Sequence, residues 1–398
     1  MELVEKICQI SDELEQHTIE IRRQIHQNPE LSYKELQTSA LVRRELERMG
    51  VPYEESPVKP GIIAAIDSGK PGKFLMLRAD MDALPIQEET DLEFASRNPN
   101  VMHACGHDVH TANLLAVAEI LNRTREDWQG KVKLVFQPAE ESGGGGREMI
   151  KAGLMEEMPD ACFALHVDNT EAGQVLIGKG YLTAYSDGYL MTVHGKAAHS
   201  STPEEGVDAI DIAASIITAL HGIASRNLGP MAQGTLNVGT IKGGLAGNII
   251  ADKVDMVCMM RSLSDKSRDT MRERIAALAQ GIAQAKGGSC DCEFRAGYAA
   301  VYNNEEFSEE VYRALSRYES ALYQGPLAGA RSRVKIGSYP MLAAEDFGFY
   351  SQKVPSCLVW VGVGEGAPKH NSHFSVNEDC IKFCTRVMVL TALEYLNR

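Results

Sequence analysis

The chain has 398 residues, which is more than one ordinary hydrophobic core accommodates and suits two domains. Hydrophobic residues make up 44% and charged residues 24%, as in a globular protein rather than a disordered or fibrous one. The formal net charge of −14 disfavours non-specific attraction to nucleic acid or anionic membrane, so we expect neither as a partner.

The cysteines and the N-terminal segment indicate the cellular compartment of the protein. The 9 cysteines lack paired spacing, which is typical of free thiols in a reducing environment. Residues 1–6 lack the basic and apolar regions of a signal peptide. No run reaches the ~18–20 apolar residues of a membrane span. We therefore expect a cytoplasmic protein.

Predicted strands and helices alternate through the first 180 residues. Apolar residues at helical spacing predict helices over 1–27 and 33–49, the second ended by Gly50. Further runs predict strands over 61–66, 74–77, 131–136 and 161–167, with helices over 111–121 and 147–152. This alternation predicts an α/β fold with a mainly parallel sheet, covered on both faces, whose ligands bind beyond the carboxyl ends of the strands.

The pattern changes near residue 180 to the order β-α-β-β-α-β, which is that of a ferredoxin-like α+β domain. Its strands are predicted over 189–194, 235–241, 254–260 and 291–296, and its helices over 208–224 and 264–285. Alternation then resumes, with helices over 305–323, 344–351 and 378–396 and a strand over 357–363. We therefore predict a discontinuous catalytic domain of residues 1–179 and 295–398, and an inserted domain of residues 180–294.

The segment 103–110 concentrates side chains that bind divalent transition metals: His103, Cys105, His107, Asp108 and His110. Cys105 and His107 are too close in sequence to share a helix face. In a turn before a helix both could point at one ion, with Gly106 permitting the tight backbone. The alternative is a buried cysteine and a histidine that caps the helix.

Acidic pairs follow two predicted strands, Asp80 with Asp82 and Glu140 with Glu141. Adjacent extended residues face different ways, so one of Glu140 and Glu141 could bind metal while the other takes a proton from water. A charged loop pair is the alternative. The glycines at 143–146 are not a phosphate loop, because no Gly-Lys-Ser/Thr follows them.

Three further histidines are candidates, and two of them have an ordinary explanation. His166 ends an apolar run, where a histidine is usually a core residue, and His373 lies in a polar loop that could simply be exposed. His199 precedes a capping box at Thr202–Glu205, which explains the capping residues but not the histidine.

Four motifs carry a resemblance to a known family. They are LRADMDALP at 77–85, MHACGHD at 102–108, QPAEE at 137–141 and NSHF at 371–374. In this order, over nearly the whole chain, they resemble the amidohydrolase branch of the aminoacylase/carboxypeptidase metallopeptidases. That branch includes indole-acetyl-amino-acid hydrolases, hippurate hydrolases and N-acetyl-diaminopimelate deacetylases.

The resemblance implies a site for two divalent metal ions, with zinc or manganese expected ahead of cobalt or nickel. It implies that Glu140 is the general base, that Asp82 orients a ligand, and that Asp80 replaces a ligating histidine of other branches. The metal ligands that it implies are Cys105, His107, Glu141, His166 and His373.

The resemblance also makes the inserted domain a lid that commonly forms a homodimer. His199 would help bind the substrate carbonyl oxygen, and Asn248 and Arg261 would contact the substrate. Two segments depart from the family pattern, Ile249-Ile250-Ala251 and residues 98–101, and neither removes a ligand.

The expected activity is metal-dependent hydrolysis of a small N-acyl amino acid to a carboxylate and a free amino acid. A dipeptidase or carboxypeptidase of the same clan is the nearest alternative. A non-catalytic ligand-binding relative would keep the ligands but lose the base, and Glu140 counts against it. A cysteine hydrolase using Cys105 would not need four further residues of ligand type.

Overall fold

The computed structural model describes residues 2–330 and 333–397, which form two compact units. The first unit comprises Met1–Gly180, Tyr302–Tyr339 and Phe349–Arg398, and the second comprises Tyr181–Val301 and Pro340–Gly348. We propose that these units correspond to the discontinuous catalytic domain predicted at 1–179 and 295–398 and to the inserted domain predicted at 180–294.

The elements of the chain follow in order. Before the second unit they are α1 (Glu2–Gln27), α2 (Leu36–Met49), β1 (Tyr53–Glu55), β2 (Ile62–Asp67), β3 (Phe74–Asp80), α3 (His107–Arg123), β4 (Lys131–Gln137), α4 (Gly145–Lys151), β5 (Ala161–Asp168), β6 (Val175–Gly178) and β7 (Gly180–Tyr181). They continue with β8 (Tyr185–His194), β9 (Ala198–His199), α5 (Ala209–Leu220), α6 (Ile223–Asn227), β10 (Gly234–Gly243), β11 (Ile249–Ile250), β12 (Lys253–Ser262), α7 (Asp265–Ala285) and β13 (Ser289–Tyr298). The last elements are β14 (Tyr302–Asn303), α8 (Glu305–Arg317), α9 (Glu319–Leu322), β15 (Val334–Gly337), α10 (Gly348–Ser351), β16 (Ser356–Gly362) and α11 (Asp379–Leu396).

The first unit is built on an eight-stranded sheet in the order β1-β2-β4-β3-β5-β16-β6-β15. Its four central strands, β4, β3, β5 and β16, are parallel to one another. Every residue of β16 is buried, which requires cover on both faces of the sheet. The α/β fold with a mainly parallel sheet is therefore confirmed. Helices α1, α3 and α11 contribute to the same hydrophobic core.

The second unit has a four-stranded antiparallel sheet in the order β10-β12-β8-β13. Residues of β12 alternate between core and surface, so that Val254, Met256, Cys258 and Met260 are buried. They share a core with Ile212 and Ile216 of α5 and with Met271 and Ile275 of α7. The order of strands and helices is the one predicted for a ferredoxin-like arrangement.

Some element predictions were wrong in detail. The helix predicted over 344–351 is reduced to Gly348–Ser351. Glu345 accepts a hydrogen bond from the backbone N–H of Phe347 at 2.9 Å, which favours a local turn over a helix. The helix predicted over 208–224 divides into α5 and α6, with Asp208 as N-cap of the first. None of the helices that the structure describes is both long enough and apolar enough to cross a membrane.

Candidate metal centre

Most of the candidate residues in the first unit meet at one edge of its sheet. Asp80 is the last residue of β3, Glu140 and Glu141 follow β4, and His166 lies near the end of β5. Since β4, β3 and β5 are parallel neighbours, their carboxyl ends share that edge. The predicted metal-binding residues of these three strands are therefore brought together.

The turn before α3 points Cys105 and His107 towards the same place. Gly106 has a φ of +87°, a left-handed conformation that a residue with a side chain rarely adopts. A Cβ atom at this position would lie 2.2 Å from Cγ2 of Val167, so glycine is also required sterically. Helix α3 begins at His107, four residues before the start predicted at Thr111.

Asp82 organises the centre through hydrogen bonds. Its Oδ1 atom accepts the backbone N–H of Glu140 at 3.0 Å, and its Oδ2 atom accepts that of Glu141 at 2.9 Å and the hydroxyl of Ser32 at 2.6 Å. The Nδ1–H of His107 donates to the backbone carbonyl of Asp82 at 2.9 Å. Asp82 thus positions both the Glu140–Glu141 segment and one candidate ligand.

The surroundings of His107 favour a cation at its Nε2 atom. This atom lies 3.7 Å from Oδ2 of Asp80 and 3.9 Å from Oε1 of Glu141. Burial disfavours the imidazolium, but the carboxylates of Asp80 and Asp82 outweigh it and raise the pKa of His107 well above its usual value. A divalent ion at this position would take the place of that proton.

Two groups of ligand atoms share the thiol of Cys105. In one group Cys105 is joined by His107 and His166, and in the other by Glu141 and His370, with all ligand atoms of a group within 4.8 Å of one another. The carboxylate of Glu140 forms a further such group with His107 and Glu141. This arrangement has the donor set of a site for two ions.

The structure does not bring His373 into this cluster, which corrects the sequence prediction. The Nδ1 atom of His373 lies 3.8 Å from Oε2 of Glu89, whereas Nε2 of His370 lies 3.3 Å from Oε1 of Glu141. His370 has a φ of +64°, and its backbone N–H donates to the carbonyl of Ala104 at 2.8 Å, which holds it next to Cys105. Spacing alone could not separate two histidines three residues apart in one loop.

The donor atoms fit metal ions on two observations. Nε2 of His107 and Oε1 of Glu141 are buried and have no hydrogen-bond partner among the described residues. A zinc ion about 2.3 Å from a sulfur and about 2.0 Å from a nitrogen separates these atoms by about 3.5 Å in tetrahedral geometry. Sγ of Cys105 and Nε2 of His166 are 3.5 Å apart. The residues present therefore fit such an ion.

Asp80 and His110 have a structural role beside the centre. His110 donates from Nδ1 to Asp80 at 2.6 Å and accepts the backbone N–H of Val167 at Nε2, at 3.0 Å. Because Nε2 accepts, His110 is neutral, in agreement with the lowering of its pKa by burial. Arg78 donates to the other oxygen of Asp80 at 2.6 Å. Asp80 is thus held by Arg78 and His110.

The state of Cys105 separates two kinds of chemistry. Burial and the nearby carboxylate of Glu141 raise the pKa of its thiol to about 12. A nucleophilic cysteine needs a lowered thiol pKa, which these surroundings oppose. The environment of Cys105 therefore disfavours a cysteine nucleophile, whereas a bound divalent ion would itself favour the thiolate that a metal ligand requires.

The remaining candidates lie in the second unit. Strand β9 pairs with β11 so that His199 lies opposite Ile249, and the N–H of Ser200 donates to the carbonyl of Asn248 at 3.1 Å. His199 and Asn248 are therefore neighbours. Arg261 lies in β12, and its Nη1 atom is buried without a hydrogen-bond partner among the described residues.

The chain is similar to several known proteins along most of its length. The sequence pattern of peptidase family M20/M25/M40 matches residues 76–394. Thermostable carboxypeptidase 2 of Saccharolobus solfataricus is 37% identical over 408 positions, with 100% of both chains covered. IAA-amino acid hydrolase ILR1-like 4 of Arabidopsis thaliana is 37% identical over 94% of this chain and 85% of its own length. The solved structure of Bacillus subtilis YXEP protein, a dinuclear metal binding peptidase from the M20 family, has a TM-score of 0.84 and 28% identity, covering 97% of this chain and 99% of its own.

Proposed function

Since this chain belongs to peptidase family M20/M25/M40, we propose that it hydrolyses the amide bond of N-acyl amino acids with the help of two divalent metal ions. The observation that carries the proposal is the thiol of Cys105, which is common to two groups of ligand atoms beside Glu140. The ligands that we propose are Cys105, His107, Glu141, His166 and His370.

The metal ions would supply Lewis-acid polarisation of the amide carbonyl and a lower pKa for the attacking water. Glu140 acts as the general base: its carboxylate takes a proton from the water and then delivers it to the nitrogen of the leaving amine. Asp82 supports this role because it accepts the backbone N–H groups of Glu140 and Glu141 and so fixes the start of both side chains. Thiolate with imidazole favours zinc, while the carboxylates also suit manganese, and cobalt or nickel are alternatives.

Arg261 supports a substrate with a free carboxylate. Burial lowers the pKa of its guanidinium, and its Nη1 atom has no hydrogen-bond partner in the part of the chain that the structure describes. A half-buried cation of this kind attracts an anion. The α-carboxylate of an amino acid is such an anion, and a planar guanidinium can bind it with two hydrogen bonds. We also assign Asn248 to the substrate, and its neighbour His199 to the carbonyl oxygen of the substrate.

A carboxypeptidase or dipeptidase is the second candidate. One relative is named as a carboxypeptidase and another as a hydrolase of IAA-amino acids, at the same 37% identity. Both classes release an amino acid that carries a free carboxylate, so Arg261 serves either. The two classes differ in the acyl group that is cleaved from this amino acid. It comes from a simple carboxylic acid in one class and is an aminoacyl or peptidyl group in the other.

We propose that the second unit is a lid through which two copies of the chain form a homodimer. Its sheet turns Val257 and Met259 outwards, with 38% and 41% of their surface exposed. Apolar surface of this kind marks an interaction site when it is contiguous. Sedimentation of the purified chain distinguishes a dimer from a monomer. The cytoplasmic location remains a prediction.

The substrate class is tested by comparing kcat/KM on matched substrates. N-acetyl, N-benzoyl and indole-acetyl amino acids are compared with dipeptides that end in the same amino acid, and release of the amine is followed. We expect the N-acyl amino acids to have the higher values. Preference for the dipeptides would establish the second candidate, and no release from either class by protein loaded with metal would contradict both.

A further inference from the structure

The loop between α1 and α2 lies against the segment that carries Glu140 and Glu141. Ser32 donates its hydroxyl to Asp82 at 2.6 Å. Glu35 accepts the backbone N–H of Ala139 at 2.8 Å, although the two residues are 104 positions apart in the sequence. This loop has no part in the ligand set or in the proton transfer described above.

Glu35 stands at the N-terminal cap position of α2 but does not cap that helix with its side chain. The side chain is instead 0% exposed and points to Ala139. Its Oε2 atom has no hydrogen-bond partner among the described residues. Burying a carboxyl group is unfavourable unless hydrogen bonds compensate for its lost hydration, so the hydrogen bond to Ala139 is important for keeping Glu35 in this position.

Two buried carboxyl groups together hold three consecutive backbone N–H groups. Glu35 accepts the N–H of Ala139, and the two oxygens of Asp82 accept those of Glu140 and Glu141. Ala139 has a φ of +58°, a left-handed conformation that is strained for a residue with a Cβ atom. The N–H group that Glu35 accepts belongs to Ala139, which is the one residue of the three with a positive φ.

The charge of Asp82 affects the ionisation of Glu35. Burial, and after it the negative charge of Asp82, raise the pKa of Glu35 to about 8. The carboxyl group of Glu35 is therefore protonated more readily than that of an ordinary glutamate. A neutral amide of the same shape should replace it with little disturbance.

We propose that Glu35 is a positioning residue that holds Ala139 in its left-handed conformation and thereby sets the direction of the Glu140 carboxylate. Glu35 itself does not touch the reacting atoms. The inference rests on the proposed function, because it assigns Glu140 as the general base. It adds a residue from a loop that the ligand set does not include.

The test compares four variants at saturating metal, after thermal unfolding has shown that each is folded. Glu35→Ala removes the acceptor, and we expect kcat to fall at least about tenfold with KM within about twofold, because the lost interaction serves the transition state. Glu35→Gln keeps an oxygen for the N–H of Ala139 and should stay within about threefold of the parent. Adding Ala139→Gly to Glu35→Ala should restore much of the lost rate, since glycine adopts the left-handed conformation without strain.

Glu30→Ala is the matched control, because it should destabilise the start of α2 without affecting Ala139. Glu30 accepts the backbone N–H groups of Gln37 and Thr38 at the start of the same helix, and it does not bond to Ala139. This variant should keep the parent's kcat. Equal losses in Glu30→Ala and Glu35→Ala, or no rescue by glycine at 139, would overturn the positioning role.

A second readout does not depend on turnover. Cobalt(II) bound at the centre absorbs visible light, and its spectrum reports the arrangement of ligands such as Glu141. We expect the spectrum to change in Glu35→Ala, to return with Ala139→Gly, and to stay unchanged in Glu30→Ala. A parent protein that binds cobalt but hydrolyses no amide would contradict the proposed function alone, whereas parental rate and spectrum in Glu35→Ala would contradict only the role of Glu35.

Discussion

At the residue scale, buried carboxyl groups that hold other groups in place are as important as the candidate ligands. Asp82 joins His107 to the Glu140–Glu141 segment, and Asp80 is held between Arg78 and His110. Metal sites commonly need such outer partners to orient their ligands. The strand-end position of both aspartates made them candidates in the sequence, and the family resemblance implied a different role for each. The hydrogen bonds add which groups each aspartate contacts.

Replacing Glu140 with Gln tests the general base. The amide has the same shape but cannot accept the proton of the attacking water, and general bases contribute about 10²–10⁴-fold to rates. We expect kcat to fall by at least about 10²-fold while the protein still binds two equivalents of metal, because Glu140 is not a proposed ligand. Turnover near the parental rate would show that another group takes the proton.

Replacing His370 or His373 with Ala tests the corrected ligand. His370 lies 3.3 Å from Glu141, whereas His373 lies beside Glu89. We expect His370→Ala to weaken metal binding at least about tenfold. Removing a residue that only orients a metal ligand already costs about 10–100-fold in affinity, and removing a ligand should cost no less. Calorimetric titration with zinc measures this directly. His373→Ala is the control and should bind zinc as the parent does. Weaker zinc binding in His373→Ala but not in His370→Ala would support the sequence prediction instead.

At this scale the sequence identified residue types but not all of their partners. The strand ends predicted Asp82, Glu141 and His166, because parallel strands bring their carboxyl ends to one edge. The choice between His370 and His373 depends on the path of one loop, which local spacing does not determine. The contact of Glu35 with Ala139 joins residues 104 positions apart, which no periodicity reveals.

At the element scale, the start of α3 decides where two of the candidate ligands point. Gly106 combines a φ of +87° with a close approach to Val167, so both its conformation and its lack of a side chain matter. Gly50, which ends α2, has a φ of +68°, but a Cβ atom added there would meet no other atom within 4 Å. Comparing substitutions at these two glycines therefore separates the effect of backbone conformation from that of steric crowding.

Gly106→Ala should destabilise the chain more than Gly50→Ala. A left-handed alanine costs about 1–2 kcal/mol at either position. At Gly106 the new Cβ atom would also clash with Val167, which adds about 1–3 kcal/mol of overpacking. Urea unfolding of the metal-free variants measures the difference. Equal losses of stability would mean that the turn before α3 relaxes and does not hold the ligands rigidly.

Element boundaries were predictable where a glycine ends a helix or where a mainly apolar run defines a strand. Gly50 ended α2 as predicted, and the buried strands β4 and β5 were predicted from their mainly apolar sequences. The short strands β1, β6 and β15 were not predicted. They have three or four residues each and lie at or next to the edges of the sheet, where pairing with a neighbour rather than local pattern defines a strand.

At the scale of the whole molecule, the chain contains a mainly parallel sheet and an antiparallel sheet, and their strands have different patterns of buried residues. The first unit has central parallel strands buried on both faces, whereas β12 of the second unit alternates buried and exposed residues. The change near residue 180 was visible in the sequence as a change in the order of predicted strands and helices. Pairing order within each sheet depends on contacts between distant segments, and only the ferredoxin-like order followed from a known arrangement.

The most direct test of the metal-dependent hydrolysis is a titration of the metal-free protein with zinc, manganese or cobalt. The protein is first treated with a chelator and dialysed, and amine release from the best N-acyl amino acid is measured after each addition. We predict that chelation abolishes activity and that it returns as two equivalents of one of these ions bind. Full activity in protein shown by elemental analysis to hold no metal would contradict the metal centre.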